Sequence, residues 1–320
     1  MLPLKARDLA EIVGGEIISG EESQVLASIS IDTRTLQPGA LFIPLKGERF
    51  DGRAFIAEAI RLGAGGVLTD ELGQKQFTVT PAQNTVTIKV KDTLRSLQNI
   101  AGFVRDRLQG QVVGITGSTG KTSTKDMMAS ILSVRFRTVC SERSHNNEIG
   151  VPLTLLKAEE DTEVVIVELA MRGVGQIKEL AEITRPTLGV VTNVGKSHFE
   201  FLGSEQLIAR AKGELIEAVS EGGAVVLNAD DVWTENLRKL ARCRVVTYGV
   251  NNSSDVRAEE VAVDRGKPSF VVASEQGTVS VRLPVLGRHN VYNALAAAAV
   301  ALQLGLSLED VKRASSAVSY

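Results

Sequence analysis

The residues best suited to chemistry lie in one run, Val112-Val113-Gly114-Ile115-Thr116-Gly117-Ser118-Thr119-Gly120-Lys121-Thr122-Ser123-Thr124. Apolar residues lead into a Gly-rich turn, and a Lys-Thr pair opens a helix. Glycines let backbone N–H groups close around phosphate oxygens, and a helix N-terminus adds positive potential there. In such a cradle Lys121 reaches the β- and γ-phosphates of a nucleoside triphosphate, and the Thr122 hydroxyl ligates Mg²⁺. Gly117, Ser118, Thr119, Gly120 and Ser123 form the rest of the phosphate-binding stretch. The usual pattern places a glycine five positions before Gly120; Ile115 stands there, with Gly114 one residue upstream. The order of strand, loop, Lys-Thr and helix is kept, which favours the cradle over a chance turn of small residues.

Val164-Val165-Ile166-Val167-Glu168-Leu169-Ala170 reads as a buried strand ending in a carboxylate. An acid at the carboxyl end of a strand beside a phosphate loop is where a Mg²⁺ ligand belongs. The plainer alternative is a strand-end acid facing solvent. The three histidines, His145, His198 and His289, all fall at strand ends or helix starts, the rim where α/β proteins bind ligands. A lone histidine is more often a satisfied structural residue. Lys212, in Arg210-Ala211-Lys212-Gly213-Glu214, reads on composition as a solvated helix lysine. Nearer the N-terminus, Ser30-Ile31-Asp32-Thr33-Arg34 and the run from Pro44 through Lys46, Gly47 and Asp51 to Arg53 form two loops. They could hold a second anionic ligand such as a diphosphate, although charged loops are usually only solvated.

The elements that must position these residues begin with a small α/β unit over about 5–85. It has helices at 5–13 and 54–62 and strands at 28–31, 40–44 and 66–68. The polar stretch 80–84 marks a boundary, and an amphipathic helix over 92–108 leads into the second domain. Beyond it, apolar β-branched runs at 112–116, 138–141, 164–169, 188–194, 224–228 and 245–248 read as strands buried on both faces. Helices at 121–134, 175–183, 204–219 and 232–240 separate them, the pattern of a doubly wound, mostly parallel sheet. Strands at 256–263, 269–273 and 278–284 then form an antiparallel meander, followed by helices at 290–304 and from 307. The fold class is therefore α/β, with a domain at 1–85 and a central P-loop-type domain at 86–320.

Composition excludes several function classes. The 320 residues suffice for two cores, and the 43% hydrophobic and 23% charged content is that of a soluble globular protein. A net charge of −2 and 4% aromatic residues give no electrostatic or stacking basis for nucleic-acid binding. Cys140 and Cys243 lack metal spacing and read as reduced thiols in a cytoplasmic protein. No secretory leader or membrane insertion is expected; the apolar tract 294–304 is too short to span a bilayer.

Together these residues resemble the Mur ligase family, the ATP-dependent amide ligases of peptidoglycan synthesis, over essentially the whole chain. The resemblance is carried by 115–122, Asn146-Asn147 before Ile149-Gly150-Val151-Pro152, Glu168, 193–198, Ala211-Lys212, and Gly287 with His289, Asn290 and Asn293. Within the family, Ser118, the run 122–127 and the run 45–52 are most similar to members that join D-alanyl-D-alanine to UDP-N-acetylmuramoyl-tripeptide. The resemblance implies that Ser30, Asp32, Thr33, Arg34, Lys46, Gly47 and Asp51 lie near the UDP end of that substrate. It implies that Lys121 holds the ATP phosphates, Thr122 and Glu168 one Mg²⁺, and His198 a second. Asn147 and Asn293 would sit around the nucleotide. Lys212 is the position where the family lysine is carbamylated by CO₂, becoming an acid able to bind Mg²⁺. A monomer is expected. The family also has a third, C-terminal domain, which is expected to begin where this chain stops, so the chain is expected to bind its ligands with little or no ligation. The diaminopimelate- or lysine-adding members, folylpolyglutamate synthases and a non-catalytic nucleotide-binding module are the competing readings. The N-terminal domain argues against the folate enzymes, which lack a UDP-binding unit of this kind.

Overall fold

The structure is a computed structural model that describes residues 3–47, 50–76, 85–142, 145–195 and 203–316. Packing divides the chain into two units, Met1–Leu108 with Leu155–Glu160, and Gln109–Thr154 with Asp161–Tyr320.

In the first unit, β1 (Leu4–Lys5) pairs antiparallel with β3 (Val25–Leu26). A second sheet has the order β2 (Glu16–Ser19), β7 (Val86–Lys89), β6 (Gly66–Thr69), β5 (Leu41–Phe42), β4 (Ile29–Ser30). The last four run parallel, and β2 closes one edge antiparallel. Phe42, Val67, Ile56 and Ala59 meet in its core. The helix Thr93–Arg107 buries Leu97, Ile100, Ala101 and Val104, spaced as one helical stripe, and packs on the helix Ala6–Val13. Asp92 caps it by accepting from the Arg95 N–H at 2.9 Å. That packing carries the first unit to Leu108, beyond the boundary expected at residue 85, whose polar stretch 80–84 lies outside the described residues.

The second unit is built on one nine-stranded sheet. It contains β8 (Gln111–Thr116), β9 (Thr138–Cys140), β10 (Val164–Glu168), β11 (Leu188–Val191), β12 (Ala224–Asn228) and β13 (Arg244–Gly249). The meander strands β14 (Val256–Asp264), β15 (Lys267–Ser274) and β16 (Gly277–Arg282) complete it. The order is β16-β15-β14-β13-β12-β11-β8-β10-β9, parallel from β9 to β14 and antiparallel beyond. The antiparallel strands thus extend the parallel sheet through a short junction, Tyr248↔Val256 and Gly249↔Arg257.

This order positions the site. From β8 the chain crosses to β9 and returns to β10 on one side of β8, then places β11 on the other. The loops after β8, β10 and β11 therefore open together at the carboxyl edge, the switch point where such sheets bind ligands. The helix Lys121–Leu132 follows β8 and packs against the Ala-rich helix Asn290–Gln303, whose small side chains permit a close approach. Their shared core includes Met127, Met128, Ile131, Ala294 and Ala297. Among the described residues no helix is long and apolar enough to cross a membrane.

Candidate functional site

The turn after β8 is held from two sides. Thr192 and Asn193 follow β11, whose Val191 is paired with Thr116. The Thr192 hydroxyl donates to Thr119 O at 2.6 Å, and the Ser118 N–H donates to Asn193 O at 3.0 Å. Ser118 Oγ accepts from the Gly195 N–H at 2.8 Å, and Asn193 Oδ1 accepts from the Thr119 N–H at 3.1 Å. On the other side Asn293, only 6% exposed, accepts from Thr124 Oγ1 at 3.2 Å and donates to Asn290 Oδ1 at 2.8 Å. Glycine is required at two points. Gly117 has φ +151°, and a Cβ there would fall 1.8 Å from Thr192 Oγ1. Gly120 has φ +80°, and a Cβ would fall 2.6 Å from Asn293 Oδ1. The loop is thus fixed by neighbours behind it, with Thr119 and Thr122 left exposed in front.

Lys121 bends back over this loop and donates from Nζ to Gly117 O at 2.8 Å. Burial pushes its pKa down, and Glu168 opposes that shift. The helix N-terminus also presents the Thr122 hydroxyl, which donates to Glu168 Oε2 at 2.9 Å. Glu168 ends β10, level with Ile115 of β8, and is 2% exposed. Its other oxygen, Oε1, accepts from Asn146 Nδ2 at 2.9 Å. A buried carboxylate and a hydroxyl in contact beside a lysine form a hard-oxygen donor pair. Mg²⁺ suits that pair, since it takes one or two carboxylates and leaves its other positions to phosphates and water. Among the described residues no group of three or more His, Cys, Asp or Glu gathers as a metal cage.

Lys212 lies in the helix Glu205–Ala218 and is 1% exposed, not solvated. Among the described residues it has no hydrogen-bond partner. Burial, reinforced by the nearby Lys121 and opposed by Asp231, lowers its pKa to about 7. Asp231, after β12, accepts from the Val194 N–H at 2.7 Å and so ties this corner to the loop after β11. Unfolded, the lysine keeps its ordinary value of 10.5. The unfolded chain therefore binds more protons than the folded one between about pH 7 and 10.5. The stability cost of this buried amine is full below pH 7 and disappears as pH rises through that window. In CO₂-depleted, metal-free buffer, stability is expected to rise by about 2 kcal/mol from pH 7 to 9 on this account. Denaturant titrations of Lys212→Met at the two pH values should lack that increment; an unchanged slope contradicts it.

A cavity of about 370 Å³ adjoins the loop, reached by Thr119, Asn193, Asp230, Tyr248, His289 and Tyr292. Tyr292 donates to Asp230 Oδ2 at 2.9 Å, and its pKa is pushed up to about 12 by burial and by Asp230, so the phenol remains a donor at neutral pH.

The other sequence-derived candidates separate. Asn147 accepts from the Gly150 N–H at 2.9 Å and caps the helix Gly150–Leu155. Ser123 is half-buried on the phosphate-loop helix. His198 lies outside the described residues. In the first unit, Ser30 ends β4 and Asp32 follows it, while Lys46, Gly47 and Asp51 follow β5; the carboxyl ends of these adjacent strands share one edge. Asp32 caps the turn Thr33–Thr35 and pairs with Arg34 (Nε–Oδ1 2.9 Å), which holds its carboxyl below the usual range. Thr33 donates to Glu58 at 3.3 Å. Lys46 and Asp51 bridge the turn that contains Gly47, and Asp51 caps the next turn and pairs with Arg53 at 2.9 Å. Sequence reasoning missed the structural work of Asn146, Thr192 and Asp231. The acid pair Asp230-Asp231 just past a parallel strand was a usable signal.

The Mur ligase middle domain family matches residues 115–301, and the Mur ligase family catalytic domain matches 25–105. The chain belongs to the Mur ligase family. It is 36% identical over 314 residues to the UDP-N-acetylmuramoyl-tripeptide–D-alanyl-D-alanine ligase of Bacillus subtilis, a match covering 98% of this chain and 66% of that protein. Among solved structures, MurF from Acinetobacter baumannii superposes with a TM-score of 0.90 at 30% identity, covering 99% of this chain and 69% of that one. MurF from Thermotoga maritima in complex with ADP gives a TM-score of 0.78 at 26% identity, with 89% and 65% covered. The chain spans about 66% of the length of the curated relatives it matches.

Proposed function

We propose that this chain carries the nucleotide- and UDP-muramoyl-peptide-binding units of an ATP-dependent ligase of peptidoglycan synthesis, one that joins D-alanyl-D-alanine to UDP-N-acetylmuramoyl-tripeptide. The observation that carries this reading is the convergence of Lys121, Thr122 and Glu168 at the carboxyl edge of β8 and β10. The names of the similar proteins, including one solved with ADP, support it.

The peptide carboxylate attacks the γ-phosphorus of ATP, the bond to the β-bridging oxygen breaks, and ADP leaves. The acyl phosphate is then attacked by the amine of D-alanyl-D-alanine; the C–N bond forms, phosphate departs and the amine loses a proton. Such chemistry depends on positioning and charge neutralisation. Lys121 sits over the loop to hold phosphate oxygens. Thr122 and Glu168 would hold Mg²⁺, which supplies charge neutralisation at the γ-phosphate; His198 is assigned to a second ion. Asn147 and Asn293 brace the loops around the nucleotide. The loops 30–34 and 46–51 of the first unit take the UDP end of the acceptor, and the enzyme works in the cytoplasm as a monomer.

Lys212 is assigned as a carbamate. Its neutral amine attacks CO₂, an N–C bond forms and a proton leaves to solvent. A buried cation without a hydrogen-bond partner among the described residues thereby becomes an anion facing Lys121. In ¹³C-bicarbonate at pH 8 one carbamate resonance is expected from the chain and none from Lys212→Ala. A spectrum without it removes the assignment.

Calorimetric titration tests the function. An ATP analogue with Mg²⁺ and UDP-N-acetylmuramoyl-tripeptide should each bind, and Lys121→Ala should remove only the first. A preference for the UDP-dipeptide over the tripeptide would point to the diaminopimelate- or lysine-adding reaction instead. Loss of both ligands would leave the chain without a ligase reading.

A further inference from the structure

Lys125 is a cation that the phosphate loop does not use. It lies three residues after Thr122 and four after Lys121 on the same helix, so all three occupy neighbouring positions on its surface. It is 2% exposed. A lysine buried to this degree is costly unless its ammonium is satisfied. Its Nζ donates to the backbone oxygen of Ser141 at 2.6 Å and pairs with Asp126 Oδ1 at 3.0 Å.

Ser141, fully buried just past β9, is where the restraints on Glu168 meet. Its N–H donates to Ile166 O at 3.0 Å, and its Oγ accepts from the backbone N–H of Glu168 at 3.3 Å and from Thr154 Oγ1 at 3.4 Å. Five residues on, Asn146 holds Glu168 Oε1, while Ala170 N–H anchors Asn146 O at 2.9 Å. The phosphate-loop helix therefore reaches Glu168 twice. Thr122 touches the carboxylate directly, and Lys125 holds Ser141, whose hydroxyl accepts from the Glu168 backbone N–H.

We propose that Lys125, acting through Ser141, is a positioning residue that sets the geometry of Glu168 relative to Thr122 and so tunes affinity for the divalent cation that accompanies the nucleotide. This rests on reading Thr122 and Glu168 as a magnesium site. Groups that orient metal ligands commonly change metal affinity 10- to 100-fold when removed.

The test follows binding of a fluorescent ATP analogue to the chain while Mg²⁺ is titrated. Lys125→Met should raise the half-saturating Mg²⁺ about 10-fold, and Ser141→Ala should shift it in the same direction by less. Binding of the analogue in EDTA should stay at the wild-type level in both. In the Glu168→Gln background, Lys125→Met should add less than about twofold, because both act on one ligand. A Lys125→Met protein that loses thermal stability but keeps the wild-type Mg²⁺ midpoint overturns the proposal, as does full additivity with Glu168→Gln. If Lys125→Met fails to fold, a wild-type midpoint in Ser141→Ala overturns it equally. Wild-type binding that ignores Mg²⁺ would instead remove the magnesium reading, and this inference with it.

Discussion

Lys121→Ala is expected to lower affinity for Mg²⁺-ATP at least about 100-fold, with the fold retained. The magnitude follows from what the residue does. Its ammonium is the cation folded directly over the loop, with Nζ 2.8 Å from Gly117 O. Truncating one partner of a desolvated, hydrogen-bonded charge pair typically costs about 2–5 kcal/mol of binding, roughly 30- to several-thousand-fold. Retention of the fold follows from the same burial that lowers the lysine's pKa. A desolvated ammonium is a burden on the empty protein, so its removal leaves stability close to unchanged. Lys121→Arg is expected to be no rescue, because the planar fork does not fit where a compact ammonium bends over a tight turn. Calorimetry with a non-hydrolysable analogue, paired with a thermal melt, checks both halves. Wild-type affinity in Lys121→Ala contradicts the role, and a collapsed melt contradicts the claim that the role is not structural.

Gly117→Ala carries the second large effect, and it acts on both stability and binding. The backbone at φ +151° disfavours any L side chain, and the new methyl would stand 1.8 Å from Thr192 Oγ1. Thr192 cannot turn aside freely: its hydroxyl donates to Thr119 O at 2.6 Å and its N–H to Thr116 O at 3.0 Å. Either the loop or the strand end must move. The expected cost is about 2–3 kcal/mol, a fall in melting temperature of roughly 5–10 °C for a unit of this size. Nucleotide binding should weaken with it, since the displaced N–H groups are those that would face phosphate. A variant that melts with the wild type would show that the loop tolerates a Cβ and is not the rigid cradle described.

What could be read from the sequence depended on how local the signal was. The phosphate loop was legible because its requirements sit within a few residues: a strand, glycines where the backbone turns, and Lys-Thr at a helix start. Glu168 was legible because the four apolar residues before it, Val164 to Val167, declared a buried strand. Lys212 was not, because residue type hid its position. Ile208, Lys212 and Leu215 share the buried face of one helix by spacing alone, yet a lysine there reads as solvated until a partner or a shifted pKa is seen. Lys125 is hidden in the same way. Strands of two residues such as Ile29–Ser30 and Leu41–Phe42 offer no period to read, so the sequence predicts longer strands at 28–31 and 40–44 and gives no sign of β2 and β7. The division near residue 108 depends on tertiary packing of the helix Thr93–Arg107, which no local pattern announces.

The account stands on Lys121, Thr122 and Glu168 gripping one magnesium-bound triphosphate at the carboxyl edge of β8. A crystal structure of the chain with a non-hydrolysable ATP analogue and Mg²⁺ tests this most directly. It should show the phosphates along residues 117–122, Lys121 Nζ turned from Gly117 O onto a terminal phosphate oxygen, and the ion bonded to Thr122 Oγ1 within reach of Glu168. Triphosphate density elsewhere on the sheet, or an ion that ignores both Thr122 and Glu168, would contradict it.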